Sequence, residues 1–332
     1  MQPQQWIHCH IARLPTKPKA RVSEIPEQIS GIIMKLLAKA PEERYQTAAG
    51  VEIDLRRCLE SLKSSGRIDP FPLGARDISE QLLIPETLYG REREIEQLRA
   101  SFDRIVGQGT SELVLVSGYS GVGKSSVVNE LHKALVPARG LFASGKFDQF
   151  KRDIPYATLA QAFQKLVRQI LTQSDTEVSS WRNALVEALR PNGGLIRNLV
   201  PEIELVIGKQ APVPDLPPQE EQKRFLMVFR RFLGVFARAE HPLVLFLDDL
   251  QWSDLATLEL LKYLLTTESE LCHFLLVGAY RDNEVMASHA LAQALEEIRG
   301  NGVAVREIVL EPLSIGDFEQ LVVDALHGEA RT

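Results

Sequence analysis

The sequence predicts an α/β fold, a mainly parallel sheet of five strands with helices on both faces, preceded by a short all-helical segment. Three observations carry this. Five short apolar runs recur at 112–118, 140–147, 242–249, 273–280 and 303–310. Segments of helical period separate them. The first run, "ELVLVSG", leads straight into a glycine-rich loop and then a helix. Strands that alternate with helices build a parallel sheet whose two faces are both covered.

The elements follow in chain order. After an irregular start, Pro26 suits the first turn of a helix, where its missing N–H costs little. Ile29, Ile32, Ile33, Leu36 and Leu37 continue with helical spacing, and Pro41 stops the helix. A second helix runs from about Thr47, with Val51, Leu55, Leu59 and Leu62 on one face. Two amphipathic helices are too little for an independent core, so 1–63 is expected to lean on something larger. Residues 64–86 carry Ser, Gly and Pro without periodicity and read as a linker. The first strand, 112–118, precedes a helix over 125–135, and 140–147 is the second strand. Residues 157–240 are mostly helical, with a proline-rich break at 211–218. The third, fourth and fifth strands are "PLVLFLDD", "HFLLVGAY" and "VAVREIVL".

Composition bounds the function. The 332 residues suggest about two domains, and 45% hydrophobic with 25% charged content is that of a globular protein. A net charge of −6 argues against nucleic acid as the main partner. Cys9, Cys58 and Cys272 show no C-x-x-C spacing, which points to a reducing compartment without disulfides. No secretory h-region and no run of membrane-spanning length is present, so the expected location is cytoplasmic, with no membrane partner.

The chemistry concentrates in "GYSGVGKSS", 118–126. It matches G-x-x-x-x-G-K-[ST] at Gly118, Gly123, Lys124 and Ser125, the signature of a P-loop NTPase. Glycines let successive backbone N–H groups turn inward around phosphate oxygens, and the following helix points its positive end there. Ser120, Gly121 and Ser126 belong to the same cradle. Lys124 is expected on the β/γ-phosphates and the Ser125 hydroxyl on Mg²⁺. A second magnesium ligand comes from the end of the third strand, where Asp248 is the candidate and Asp249 is expected to orient the attacking water. Aspartate is shorter than glutamate, so slow hydrolysis is expected. Arg281, just after the fourth strand, would emerge near the γ-phosphate, although a surface arginine would read the same. Tyr89 and Arg91, in "LYGRE", are candidates for the adenine side.

These motifs together resemble the ATPase domain of the AAA-like signal-transduction NTPases, the STAND class. The run from "LYGRE" through "LVLVSGYSGVGKS", "FASGKFDQ", "PYATL" and "LVLFLDDLQWSD" to "LLVGAYRDNE" covers about 200 residues in the family's order. The likeness implies ATP as the nucleotide. It extends to large bacterial sensors in which a serine/threonine kinase domain precedes the ATPase and GAF and histidine-kinase domains follow. "IPEQISGIIMKLLAKAPEERYQTAAGVEIDLRRCL" resembles the last two helices of a protein-kinase C-lobe, with Arg44 at the arginine that pairs with the glutamate of A-P-E. The glycine loop, H-R-D and D-F-G of a kinase are missing. The chain is therefore expected to be a fragment. Its parts are a kinase remnant at 1–63, a linker at 64–86, the ATPase domain at 87–312 and the start of a helical region at 313–332. The implied partners are a kinase lobe and a sensor module.

Lesser signals stay open. His8 and His10 are two potential ligands, too few for a zinc site. Trp252 suits packing. Lys146, Asp148 and Arg152 suit nucleotide contact, a neighbouring domain or a plain polar loop. The leading function is an ATP-binding, slowly hydrolysing regulatory switch. The alternatives are part of an active serine/threonine kinase and a DNA-associated ATPase or transcription regulator.

Overall fold

Runs apolar at every position, such as 113–116 and 243–247, suit strands buried on both faces. A computed structural model of the chain describes residues 15–39, 43–77, 88–135, 140–152, 154–266 and 271–325. In it β1 (Ser111–Ser117), β2 (Leu141–Lys146), β3 (Leu243–Asp248), β4 (Phe274–Tyr280) and β5 (Val305–Val309) form one sheet in the order β2-β3-β4-β1-β5. Every pair is parallel. All five expected strands are present.

The chain divides into two units, Glu86–Gln320 and Met1–Pro85 with Leu321–Thr332. The smaller unit carries α1 (Pro18–Arg21), α2 (Glu27–Leu36) and α3 (Ala48–Ser65). The larger unit has α4 (Glu92–Gln108), α5 (Lys124–Asn129) and α6 (His132–Leu135) around β1 and its loop. Between β2 and β3 come α7 (Ala157–Leu171), α8 (Asp175–Leu189), α9 (Gly193–Leu199), α10 (Glu204–Ile207) and α11 (Pro218–Phe236). The remaining helices are α12 (Leu255–Thr266), α13 (Ala290–Gly300) and α14 (Ile315–Ala325).

Alternate side chains of each strand feed two cores. Leu113, Leu115, Leu243, Leu245, Leu247, Phe274 and Leu276 join the larger one. There Phe163 of α7 meets Phe232 of α11 at 5.1 Å, and Phe232 meets Phe236 at 5.0 Å, both edge to face. Val114, Val116, Val244, Phe246, Leu275 and Val277 face the other way, onto Leu98, Phe102 and Ile105 of α4 and Val127 and Val128 of α5. Burial at this depth contributes about 1.5–3 kcal/mol per large side chain, which fixes strand register and helix placement together.

Register then sets the site. Ser117 is level with both Tyr280 and Val309, and Lys146 with Asp248. The chain therefore leaves β1, β2, β3 and β4 along one rim, where ligands of such sheets bind.

One expectation needs correcting, and two segments show contacts that residue order did not specify. The helix read over 125–135 is two pieces, α5 and α6. At the break Leu131 N–H bonds the carbonyl of Val128, one residue short of helical spacing. Leu55, Leu59 and Leu62 of α3 are 43%, 50% and 47% exposed within this chain. Gly50, Asp54 and Cys58 are buried instead. Asp54 accepts from Tyr45 Oη at 2.5 Å and Gly74 N at 2.7 Å, so a polar stripe that apolar periodicity ignores carries the contact. The expected linker is also tied down in its first half. Gln28 Nε2 donates to Phe71 O at 2.8 Å, and Asp77 accepts from the backbones of Gln46 and Thr47 at 2.6 and 3.0 Å. Residues 78–87, like His8, Cys9, His10 and Pro41, lie outside the described residues. Arg44 donates to the carbonyls of Ala38 and Lys39 at 2.8 and 3.3 Å, just past the C-terminal end of α2.

Candidate active site

The loop between β1 and α5 has a shape only glycine permits at two points. Gly118 has φ 144°, and a Cβ there would lie 2.5 Å from Leu310 O, the carbonyl after β5. Gly123 has φ 100° and turns the chain into α5. Lys124, 7% exposed, curls back so that Nζ donates to Gly118 O and Tyr119 O, both at 2.7 Å. Burial pushes its ammonium pKa down.

Across the cleft, β3 ends in two buried carboxylates. Ser125 Oγ donates to Asp248 Oδ2 at 2.7 Å, and Asp249 N to Asp248 Oδ1 at 2.9 Å. Asp249 takes a left-handed backbone, φ 54°, which aspartate tolerates better than most residues. That bend starts a 3-10 turn (Leu250–Trp252), with Trp252 N bonded to Asp249 O at 2.9 Å. The turn seats on β4 at Gly278, where any Cβ would stand 2.2 Å from Leu250 Cδ1.

Asp249 is not open to solvent. Lys146 Nζ, at the end of β2, sits 3.2 Å from Asp249 Oδ2 and 3.6 Å from Asp248 Oδ2. Its pKa is raised, first by the hydrogen bond to Asp249 and then by the charge of Asp248. Arg281 Nε lies 3.5 Å from Asp249 Oδ1, while its Nη1 donates to Glu284 Oε1 at 2.7 Å. The same guanidinium stacks over the Trp252 ring at 4.7 Å, and Trp252 Nε1 donates to Glu284 Oε2 at 3.2 Å. Gln251, 2% exposed, donates from Nε2 to Asp249 Oδ1 at 3.1 Å.

Nine of the expected residues line one cleft of about 290 Å³: Ser120, Gly121, Gly123, Lys124, Ser125, Ser126, Asp248, Asp249 and Arg281, joined by Lys146. Gly118, Tyr89 and Arg91 do not line it. Arg91 is buried and donates from Nη2 to Val122 O at 3.3 Å and Glu311 O at 2.6 Å. It braces the glycine loop against the chain beyond β5 rather than offering charge to a ligand. Gln251 carried no sequence signal. Lys146 was one polar residue among several, because only the parallel register of β2 on β3 puts it beside Asp248.

The donor set suits a magnesium–phosphate group. A hydroxyl and a carboxylate oxygen, both hard ligands, already stand at hydrogen-bond distance beside inward-turning glycines. Among the described residues no three His, Cys, Asp or Glu side chains cluster as a metal cage. Mg²⁺ commonly binds through one or two protein oxygens completed by phosphates and water, which matches this arrangement.

Comparison with known proteins adds context. A family profile described as "AAA ATPase domain" matches residues 87–277. The chain is 34% identical over 281 residues to Hybrid signal transduction histidine kinase G of Dictyostelium discoideum, over 79% of this chain and 8% of that protein. It is 27% identical over 287 residues to Histidine protein kinase 1 of Candida albicans, over 75% of this chain and 12% of that protein. The peroxide stress-activated histidine kinase mak3 of Schizosaccharomyces pombe is 24% identical over 236 residues, 58% of this chain and 10% of that protein. The chain thus spans about a tenth of the length of these curated relatives. All three are histidine kinases by name and come from eukaryotes, which agrees with the histidine-kinase part of the expected setting; none is named a bacterial serine/threonine kinase. Among solved structures, the Orc1 protein of Aeropyrum pernix in complex with DNA aligns with TM-score 0.39 and 17% identity, over 73% of this chain and 50% of that one. Cdc6p of Pyrobaculum aerophilum aligns with TM-score 0.44 and 15% identity, over 74% and 51%. Among the described residues, no helix is long and apolar enough to cross a membrane.

Proposed function

The chain belongs to the AAA ATPase domain family, and on that premise we propose that its sheet unit binds Mg²⁺–ATP, hydrolyses it slowly and acts as a nucleotide switch within a multidomain signalling histidine kinase. The observation that carries this is the bond from Ser125 Oγ to Asp248 Oδ2, 2.7 Å long between residues 123 positions apart. It joins the two magnesium-type ligands of the motif beside the glycine cradle. The signalling context is supported by the names of the three relatives.

Each side chain then has a task. Lys124 exchanges two carbonyls for the β/γ-phosphate oxygens, which recover the charge–charge attraction its burial denies it. Ser125 and Asp248 would hold Mg²⁺, whose charge neutralises the phosphates. Asp249 orients a water toward the γ-phosphorus and accepts its proton. Arg281 leaves Glu284 for the γ-phosphate and offsets the charge that develops there. Lys146 and Arg281 both contact Asp249, which opposes turnover. Hydrolysis requires both to yield, which accords with a slow switch.

The test is titration of the purified chain with ATP and ADP, with and without Mg²⁺. Magnesium-dependent binding of both nucleotides is expected; a chain that binds neither overturns the proposal. Asp248→Asn should remove most of the magnesium dependence. Arg281→Ala should weaken ATP binding by roughly 10-fold or more, the usual worth of a charge-assisted hydrogen bond, and leave ADP nearly unchanged. Equal losses for the two nucleotides would exclude Arg281 from the γ-phosphate.

A further inference from the structure

Gln251, two residues after Asp249 and 2% exposed, faces two ways. Its amide nitrogen donates to Asp249 Oδ1 at 3.1 Å. Its amide oxygen accepts the backbone N–H of Arg281 at 3.2 Å. One side chain therefore ties the carboxylate that follows β3 to the first residue after β4. Neither bond is part of the sheet ladder. Leu250, the residue before it, is locked over the bare Cα of Gly278, so the turn that carries Gln251 cannot drift along β4.

This bridge has a chemical consequence. The two oxygens of Asp249 are not equivalent. Oδ1 is held from within, by Gln251 and by Arg281 Nε at 3.5 Å. Among the described residues Oδ2 is held by Lys146, whose exposed side chain can swing away. When Lys146 leaves and Arg281 turns to the γ-phosphate, Oδ2 becomes free with its direction already set, because Gln251 still holds Oδ1. A short aspartate needs this more than a glutamate does, since it has less reach with which to find the water.

We infer that Gln251 is a positioning residue: it selects Oδ2 of Asp249 as the oxygen that works on water and couples that carboxylate to the backbone that aims Arg281. The inference deepens the ATPase reading and rests on it for its kinetic arm. Gln251 itself touches neither nucleotide nor water. It should therefore affect the chemical step and not ATP affinity.

Two variants separate the parts. Gln251→Met keeps length and volume and removes both bonds. Gln251→Glu keeps the acceptor for Arg281 N–H and replaces the donor with a carboxylate facing Asp249. ATP affinity of both, by titration with Mg²⁺, should stay near wild type, while single-turnover hydrolysis falls about 10-fold or more, as when the partner that orients a ligand is lost. Wild-type hydrolysis by either variant overturns the role, as does a loss confined to ATP binding. A second readout does not depend on turnover. The chain has three tryptophans, Trp6, Trp181 and Trp252. With Trp6→Phe and Trp181→Phe, emission reports Trp252 alone, beneath Arg281. Adding Gln251→Met should loosen the turn that carries Trp252, red-shift the emission and raise acrylamide quenching of the protein without nucleotide. Unchanged emission and quenching overturn the bridge. If wild type never hydrolyses, the ATPase reading fails while this second readout still decides the bridge.

Discussion

Lys124→Ala is expected to abolish measurable ATP binding while leaving the fold intact. On the proposed reading the ammonium would reach the β- and γ-phosphates from inside the glycine loop, and each charge-assisted bond it would make is worth about 1.5–3 kcal/mol. Losing two such bonds weakens binding by at least about 100-fold. The fold should not suffer. The ammonium donates to the carbonyls of Gly118 and Tyr119 and is attracted by Asp248 and Asp249, but burial outweighs these and lowers its pKa, so holding this charge costs the fold some stability. Thermal unfolding of the variant without nucleotide should therefore match or exceed that of wild type. Calorimetric titration checks the first expectation and a melting curve the second. Full ATP affinity in the variant would remove Lys124 from the site; a collapsed melting transition would show that it shapes the loop instead.

Asp249→Asn should bind Mg²⁺–ATP and turn it over far more slowly. The amide keeps the shape of the carboxylate and loses its charge and basicity. The drop in single-turnover rate should be on the order of 10²–10⁴-fold, the usual contribution of a positioned general base. Affinity should hold or improve, because Lys146 and Arg281 lose the charge that now detains them at 3.2 and 3.5 Å and turn more readily to phosphate. Asp248→Asn provides the contrast, with binding changed through its magnesium dependence. If Asp249→Asn turns over like wild type while Asp248→Asn loses turnover at unaltered metal dependence, the two carboxylates have exchanged roles.

Much of this molecule could be read from residue order because the signals are local. β1, β3 and β4 announce themselves by near-continuous apolar runs, such as 113–116 and 243–247. The glycine loop does so by needing φ values near 144° and 100° that other residues rarely adopt. Lys124 and Ser125 are fixed relative to that loop by covalent spacing, and Asp248 and Asp249 by the end of a strand. Those constraints act over a few residues, so they survive without knowledge of the rest of the chain.

The relations that set reactivity act between distant segments and left no such trace. That Lys146 stands beside Asp248 depends on β2 pairing with β3 in one register, which two separate cores enforce from opposite faces. That Arg91 braces the glycine loop depends on the chain beyond β5 arriving next to it, 220 residues later, at Glu311. That α3 buries Gly50, Asp54 and Cys58 instead of its leucines depends on where residues 71–77 lie, because Gly74 N–H supplies one of the bonds that make a buried carboxylate tolerable. Residue order supplies the groups that can hold a phosphate. Burial and register, which belong to the assembled chain, set which carboxylate oxygen faces the cleft and which cations must move before it can act.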